Sequence, residues 1–76
     1  MLLSFKADQK IIEQGEVSNY FYILRLGSAK VIKDGKTVGN IYENEIFGEM
    51  AFFQNNVHGA DVIAETDCIV DGFEKK

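Results

Sequence analysis

The chain has 76 residues and a net charge of −4 at pH 7, and 46% of its residues are hydrophobic while 26% are charged. This length predicts one domain over residues 1–76, and the composition is typical of a globular protein rather than a disordered tail. The excess of acidic residues opposes binding to a polyanion, so direct contact with nucleic acid is not expected. No apolar run approaches a membrane-spanning length, so membrane insertion is not expected either.

The cysteine content and the first residues indicate the compartment. Cys68 is the one cysteine of the sequence, which excludes an intramolecular disulfide and a cysteine-based zinc site. We interpret it as a small buried hydrophobic side chain rather than a redox thiol. The first ten residues lack the basic segment and long apolar core of a secretory signal. We therefore expect a cytoplasmic protein with no metal or cofactor.

Short apolar runs rich in β-branched and aromatic residues recur between turns that contain glycine. They predict strands over residues 10–13, 20–26, 29–33, 37–42, 61–64 and 67–73. Short strands at this spacing are typical of an all-β sandwich or barrel.

Three glycines mark predicted turns. Asp34 and Gly35 separate two strand-like runs and predict a hairpin with a two-residue type I′ turn, in which both central residues have positive φ. Gly15 and Gly27 lie at the ends of other apolar runs. There we expect a positive φ or a close approach of two backbone segments.

One segment favours a helix. Residues 49–53 follow Gly48 and contain good helix formers, which predicts a helix of one to two turns. Its free N–H groups would point back toward Phe47 and Gly48, and such a helix start attracts anions. The sequence therefore predicts an anion-binding position at this point of the chain.

The segment FGEMA at residues 47–51 resembles the opening of the phosphate-binding cassette of the cyclic nucleotide-binding domain family. This family includes regulatory subunits of cyclic-AMP-dependent kinases, cyclic-nucleotide-gated channels and bacterial regulators of the catabolite-activator type. IEQG at 12–15, FYILRLG at 21–27 and ADVIAET at 60–66 also match, in order and at fitting spacing. The resemblance implies a mainly β fold, a double-stranded β-helix or jelly-roll-like β-roll of eight strands with a short cassette helix. Because the sequence stops at Lys76, the family's flanking lid helices are expected to be absent or minimal.

The resemblance also implies a ligand-binding site. Its residues are Phe47, Gly48, Glu49, Met50, Ala51, His58, Gly59 and Ala60. Glu49 takes the position of the glutamate that accepts a hydrogen bond from the ribose 2′-hydroxyl. The backbone N–H groups of Gly48 and Ala51 would face the ribose and the cyclic phosphate.

The main departure from the family is His58, which takes the position of the arginine that pairs with the phosphate. Histidine aims one donor at one oxygen and has an ordinary pKa near ~6.5, so we expect weakened binding that is tighter at pH 6 than at pH 8. A solvent-exposed loop histidine with no role is the open alternative. Gly59 lacks the threonine hydroxyl that favours cyclic GMP in the family, so the expected ligand is cyclic AMP.

The predicted function is a regulatory module that senses a cyclic nucleotide. Its expected partners are the cyclic nucleotide and an effector domain in a longer protein, on which it acts by population shift. The alternative is a degenerate module of the same fold that binds no nucleotide and serves a structural or protein-interaction role. An enzyme is not expected, because no Ser/His/Asp or Cys/His set has a motif around it.

Overall fold

A computed structural model describes residues 1–53 and 57–74. The elements in chain order are β1 (Leu2–Phe5), β2 (Lys10–Ile12), β3 (Tyr20–Leu26), β4 (Ala29–Lys33), β5 (Lys36–Ile41), β6 (Ile46–Phe47), α1 (Glu49–Phe53), β7 (Asp61–Ala64) and β8 (Cys68–Glu74). The predicted mainly β fold with a short cassette helix is confirmed. No helix in the described ranges is long and apolar enough to cross a membrane.

The strands form two four-stranded antiparallel sheets. One has the order β1-β8-β3-β6 and the other the order β2-β7-β4-β5. Both sheets contribute to one buried apolar cluster, which includes Leu24 and Val70 from the first sheet and Ala29, Val62 and Ala64 from the second. The two sheets therefore pack through their apolar faces, as expected for the β-roll.

The alternation of burial along the strands explains this packing. In β8, Cys68, Val70 and Gly72 are buried and the residues between them are only partly buried. Successive side chains of a strand point to opposite faces, so every second residue reaches the core. Burial raises the pKa of the Cys68 thiol, whose Sγ–H donates to the carbonyl oxygens of Ser28 at 3.2 Å and Thr66 at 3.3 Å. Cys68 is thus a buried side chain, as predicted.

The β4–β5 hairpin has the predicted turn. Lys33 pairs with Lys36, and the two residues between them have positive φ, 51° for Asp34 and 81° for Gly35. Farther along the hairpin the register shifts, because Val31 pairs with Gly39 while Ile32 pairs with Thr37. This shift is a β-bulge in β5.

Gly27 confirms the expected close approach. Its φ is 93°, and a Cβ at this position would collide with the carbonyl oxygen of Asp67 and lie 2.7 Å from Thr66 Oγ1. Gly15 also has the expected positive φ, 91°. The turn between β3 and β4 therefore needs glycine for both its backbone conformation and its space.

Two strands, β1 and β6, were not predicted from the sequence. β1 pairs with β8 from Leu2–Asp71 to Phe5–Cys68, so its partner comes from the other end of the chain. β6 has only two residues and pairs with β3. Periodicity requires longer segments, so neither strand has a sequence signal of its own.

Candidate functional site

A cavity of about 630 Å³ opens beside α1. Seven of the eight predicted site residues line it, namely Phe47, Gly48, Glu49, Met50, His58, Gly59 and Ala60. The eighth, Ala51, belongs to α1, and its side chain lies outside the described part of the structure. The other lining residues are Ile12, Val31, Lys33, Ile41, Ile46, Val57 and Val62. The fold thus gathers the predicted residues around a largely apolar cavity, and their role in binding stays a prediction.

The pairing of β6 with β3 fixes the start of the cassette. Phe47 is buried and pairs with Tyr22, and their rings stack with centroids 5.3 Å apart. At Gly48, which has a φ of 79°, a Cβ would lie 3.1 Å from Ile12 Cδ1 and 3.4 Å from His58 Cε1. The glycine therefore lets the imidazole of His58 lie against the cassette backbone.

Glu49 is the first residue of α1 and lines the cavity. An acidic side chain in the first turn of a helix complements the helix dipole. Its carboxylate has no hydrogen bond or ion pair with any other residue in the described ranges. The oxygens are thus available as acceptors for a hydroxyl group of a ligand.

His58 is buried, with 8% of its surface exposed. The alternative of a solvent-exposed histidine is therefore wrong. Its backbone N–H donates to the carbonyl oxygen of Glu16 at 2.9 Å, and its own carbonyl oxygen accepts from the N–H of Gly15 at 2.8 Å. A β-bridge between Val17 and Val57 continues this pairing. Backbone contacts with residues 15–17 thus hold the imidazole inside.

The charge of His58 follows from this burial. Desolvation lowers the pKa of His58 below its ordinary value, and the nearby carboxylate of Glu16 opposes this effect more weakly. The imidazole of the free domain is therefore neutral at pH 7. The expected tightening of ligand binding in acid stays a prediction. Because the His58 pKa is lowered, the pH range in which the tightening should occur lies lower than for an ordinary histidine.

We expect the same lowered pKa to make the folded domain less stable in acid. Because the unfolded chain has the higher His58 pKa, it binds more protons, so this contribution to stability is complete above about pH 6.5 and is lost as the pH falls from there through the folded pKa. Urea unfolding between about pH 5 and pH 8 measures it. His58→Gln should remove this component, and an unchanged pH slope in that variant would contradict the assignment.

Besides the apolar lining residues, two charged residues near the site were missed by the sequence analysis. Lys33 lines the cavity. The sequence signal for it is its position two residues after Val31, which puts both side chains on the same face of the strand. Glu16 affects His58 through contacts between distant parts of the chain, for which the sequence has no local signal. The described residues contain no cluster of three or more His, Cys, Asp or Glu side chains that could hold a metal ion.

Comparison with known families defines the class of protein. Residues 2–76 match the family model described as the cyclic nucleotide-binding domain. The chain therefore belongs to this family. Its curated relatives include cAMP-dependent protein kinase regulatory subunits and cGMP-dependent protein kinases.

One of these relatives shows the extent of the sequence match. The chain is 39% identical over 62 residues to the cAMP-dependent protein kinase regulatory subunit of Yarrowia lipolytica, and the match covers 82% of this chain and 16% of that protein. The chain thus spans less than a fifth of the length of that relative.

Two solved structures have the same fold. The cAMP-bound structure of PfPKA-R has a TM-score of 0.93 and 30% identity, with 97% of this chain and 26% of that chain covered. The regulatory subunit of a cAMP-independent protein kinase A from Trypanosoma cruzi, bound to guanosine, has a TM-score of 0.93 and 29% identity, with 97% and 27% covered.

Proposed function

We propose that this domain is a sensor for cyclic AMP, which it binds with modest affinity in the cavity beside α1. The observation that carries the proposal is the position of Glu49, whose carboxylate lines the cavity next to Gly48 and has no ion pair or hydrogen bond with another described residue. Membership of the cyclic nucleotide-binding domain family supports it.

Each part of the ligand has a counterpart in the cavity. Glu49 accepts a hydrogen bond from the ribose 2′-hydroxyl, and apolar side chains such as Val31, Ile41 and Val62 offer a surface for the purine. Gly59 brings no side-chain hydroxyl, which is consistent with cyclic AMP as the ligand. His58 is neutral and offers the phosphate at most one hydrogen bond, which accounts for a modest affinity.

The domain acts as a regulatory module of a longer cytoplasmic protein and performs no catalysis itself. The ligand shifts the population of cassette positions, and an effector domain outside these residues responds to that shift. The exposed side chains of Met50 and Phe53 place apolar surface on α1, where a responding element could pack.

Glu49→Gln tests the proposal. We expect cyclic AMP to bind about ten-fold more weakly or worse, because the ribose hydroxyl loses a charged acceptor. Calorimetric titration measures the dissociation constant. For 2′-deoxy cyclic AMP, which lacks that hydroxyl, the variant should bind no more weakly than the wild-type protein, because only the repulsion between the carboxylate and the phosphate is removed.

Glu65→Gln is the matched control for this charge change. Glu65 is exposed, accepts a hydrogen bond from Asn40 Nδ2 at 2.7 Å and does not line the cavity. Its substitution should leave the affinity for cyclic AMP within about two-fold, since a distant exposed charge is screened. If both glutamine variants lose affinity equally, Glu49 has no specific role.

A second candidate function is a module of the same fold that binds no cyclic nucleotide and serves a structural or interaction role. The buried neutral His58 in the place of an arginine favours it. Titration of the wild-type chain with cyclic AMP and cyclic GMP separates the two candidates. Absence of heat with either nucleotide at millimolar concentration would favour the second candidate.

A further inference from the structure

The phosphate of a cyclic nucleotide brings a negative charge into a cavity with few counter-charges. Among the described residues that line it, Lys33 and Glu49 are the charged ones, and His58 is neutral at pH 7. A buried anion without a partner is costly, and the carboxylate of Glu49 increases that cost. The positive charge of Lys33 therefore favours binding of an anionic ligand here.

The register of the second sheet places Lys33 close to the cassette loop. Ile32 of β4 pairs with Asp61 of β7, so Lys33 lies beside residues 59–60, directly after His58 in the chain. Val31 and Lys33 are two residues apart on the strand, and both line the cavity. The side chain of Lys33 thus begins at the cavity wall, close to His58, which takes the position of the family's arginine.

The charge of Lys33 is not neutralised by the neighbouring acids. Asp61 forms an ion pair with Lys10 at 3.6 Å and accepts the backbone N–H of Gln14 at 2.7 Å. Asp34 accepts a hydrogen bond from Gln14 Nε2 at 2.9 Å. None of the ion pairs between described residues involves Lys33. Its ammonium group therefore remains available to a ligand.

We propose that Lys33 is the counter-charge for the phosphate of the ligand, supplied from the wall of the second sheet in place of a cassette arginine. This inference rests on the proposed function. An ammonium group on a flexible stem attracts an anion as a point charge, without the two-oxygen geometry of a guanidinium. Lys33 is exposed, so solvent screens the interaction and its contribution is smaller than that of a buried arginine.

The test compares a charged and an uncharged ligand. The wild-type chain, Lys33→Met and Lys36→Met are titrated by calorimetry with cyclic AMP and with adenosine, which lacks the phosphate. Lys33→Met should lower the affinity for cyclic AMP by about five- to ten-fold and leave the affinity for adenosine unchanged. Lys36 pairs with Lys33 across the hairpin and does not line the cavity, so its variant controls for the change in net charge and should bind as the wild type does.

Each other outcome overturns the inference. Equal weakening of both ligands by Lys33→Met would assign the side chain to the base or the sugar. Unchanged cyclic AMP binding by that variant would remove Lys33 from the site and leave the proposed function intact. Absence of cyclic AMP binding by the wild-type chain would overturn the proposed function and the inference together. Thermal unfolding of each variant checks that the fold is retained.

Discussion

His58→Arg is expected to raise the affinity for cyclic AMP by about ten-fold or more, measured by calorimetric titration at neutral pH. The wild-type imidazole is buried, neutral and limited to one donor. A guanidinium keeps its charge and presents two N–H groups to two phosphate oxygens. The cavity of about 630 Å³ that His58 lines offers room for the longer side chain.

His58→Gln controls for the loss of the imidazole without adding charge. Its affinity for cyclic AMP should stay near or below that of the wild type, because an amide offers the phosphate no charge-assisted hydrogen bond. The arginine variant and the wild type should bind adenosine with the same affinity, because adenosine has no phosphate. If the arginine variant gains nothing with cyclic AMP although its fold is intact, the cavity is not a phosphate site, and the second candidate function is favoured.

Gly27→Ala should cause the largest loss of stability among conservative changes in the turns, about 2–4 kcal/mol of the free energy of unfolding. The new methyl group would collide with the carbonyl oxygen of Asp67 and approach Cys68 Sγ to 3.0 Å. The φ of 93° adds backbone strain for any residue with a Cβ. A domain of this size has a total of about 4–11 kcal/mol, so urea unfolding should detect the loss easily.

Gly35→Ala separates the two causes. Gly35 also has a positive φ, 81°, but a Cβ there would have no heavy atom within 4 Å. This variant should lose only about 1 kcal/mol, since strain acts alone. Equal losses in the two variants would show that the close approach at Gly27 contributes nothing.

Local chemistry in the sequence predicted several elements correctly. The Asp34 and Gly35 pair specified the hairpin, because a two-residue turn of this type needs two positive φ angles. Strands such as β3 (Tyr20–Leu26) and β7 (Asp61–Ala64) have the predicted bounds because their apolar residues are continuous and turns flank them. Good helix formers after Gly48 predicted α1.

Features that depend on distant contacts could not be predicted in the same way. β1 exists because β8 offers it a pairing edge, and LLSF alone has too few residues for a periodic signal. The burial of His58 depends on hydrogen bonds with Gly15 and Glu16. The sequence placed His58 in the cassette by resemblance, but its neutral state follows only from its surroundings in the fold.

The bulge in β5 has a consequence for self-association. β5 is an outer strand of its sheet, and the unpaired backbone groups of such an edge can recruit a strand from another molecule. The register shift between the pairs Val31–Gly39 and Ile32–Thr37 bends this edge, and Lys36 places a charge at its start. Both features hinder the growth of an intermolecular sheet, so the hairpin that carries Lys33 is protected from aggregation along its outer edge.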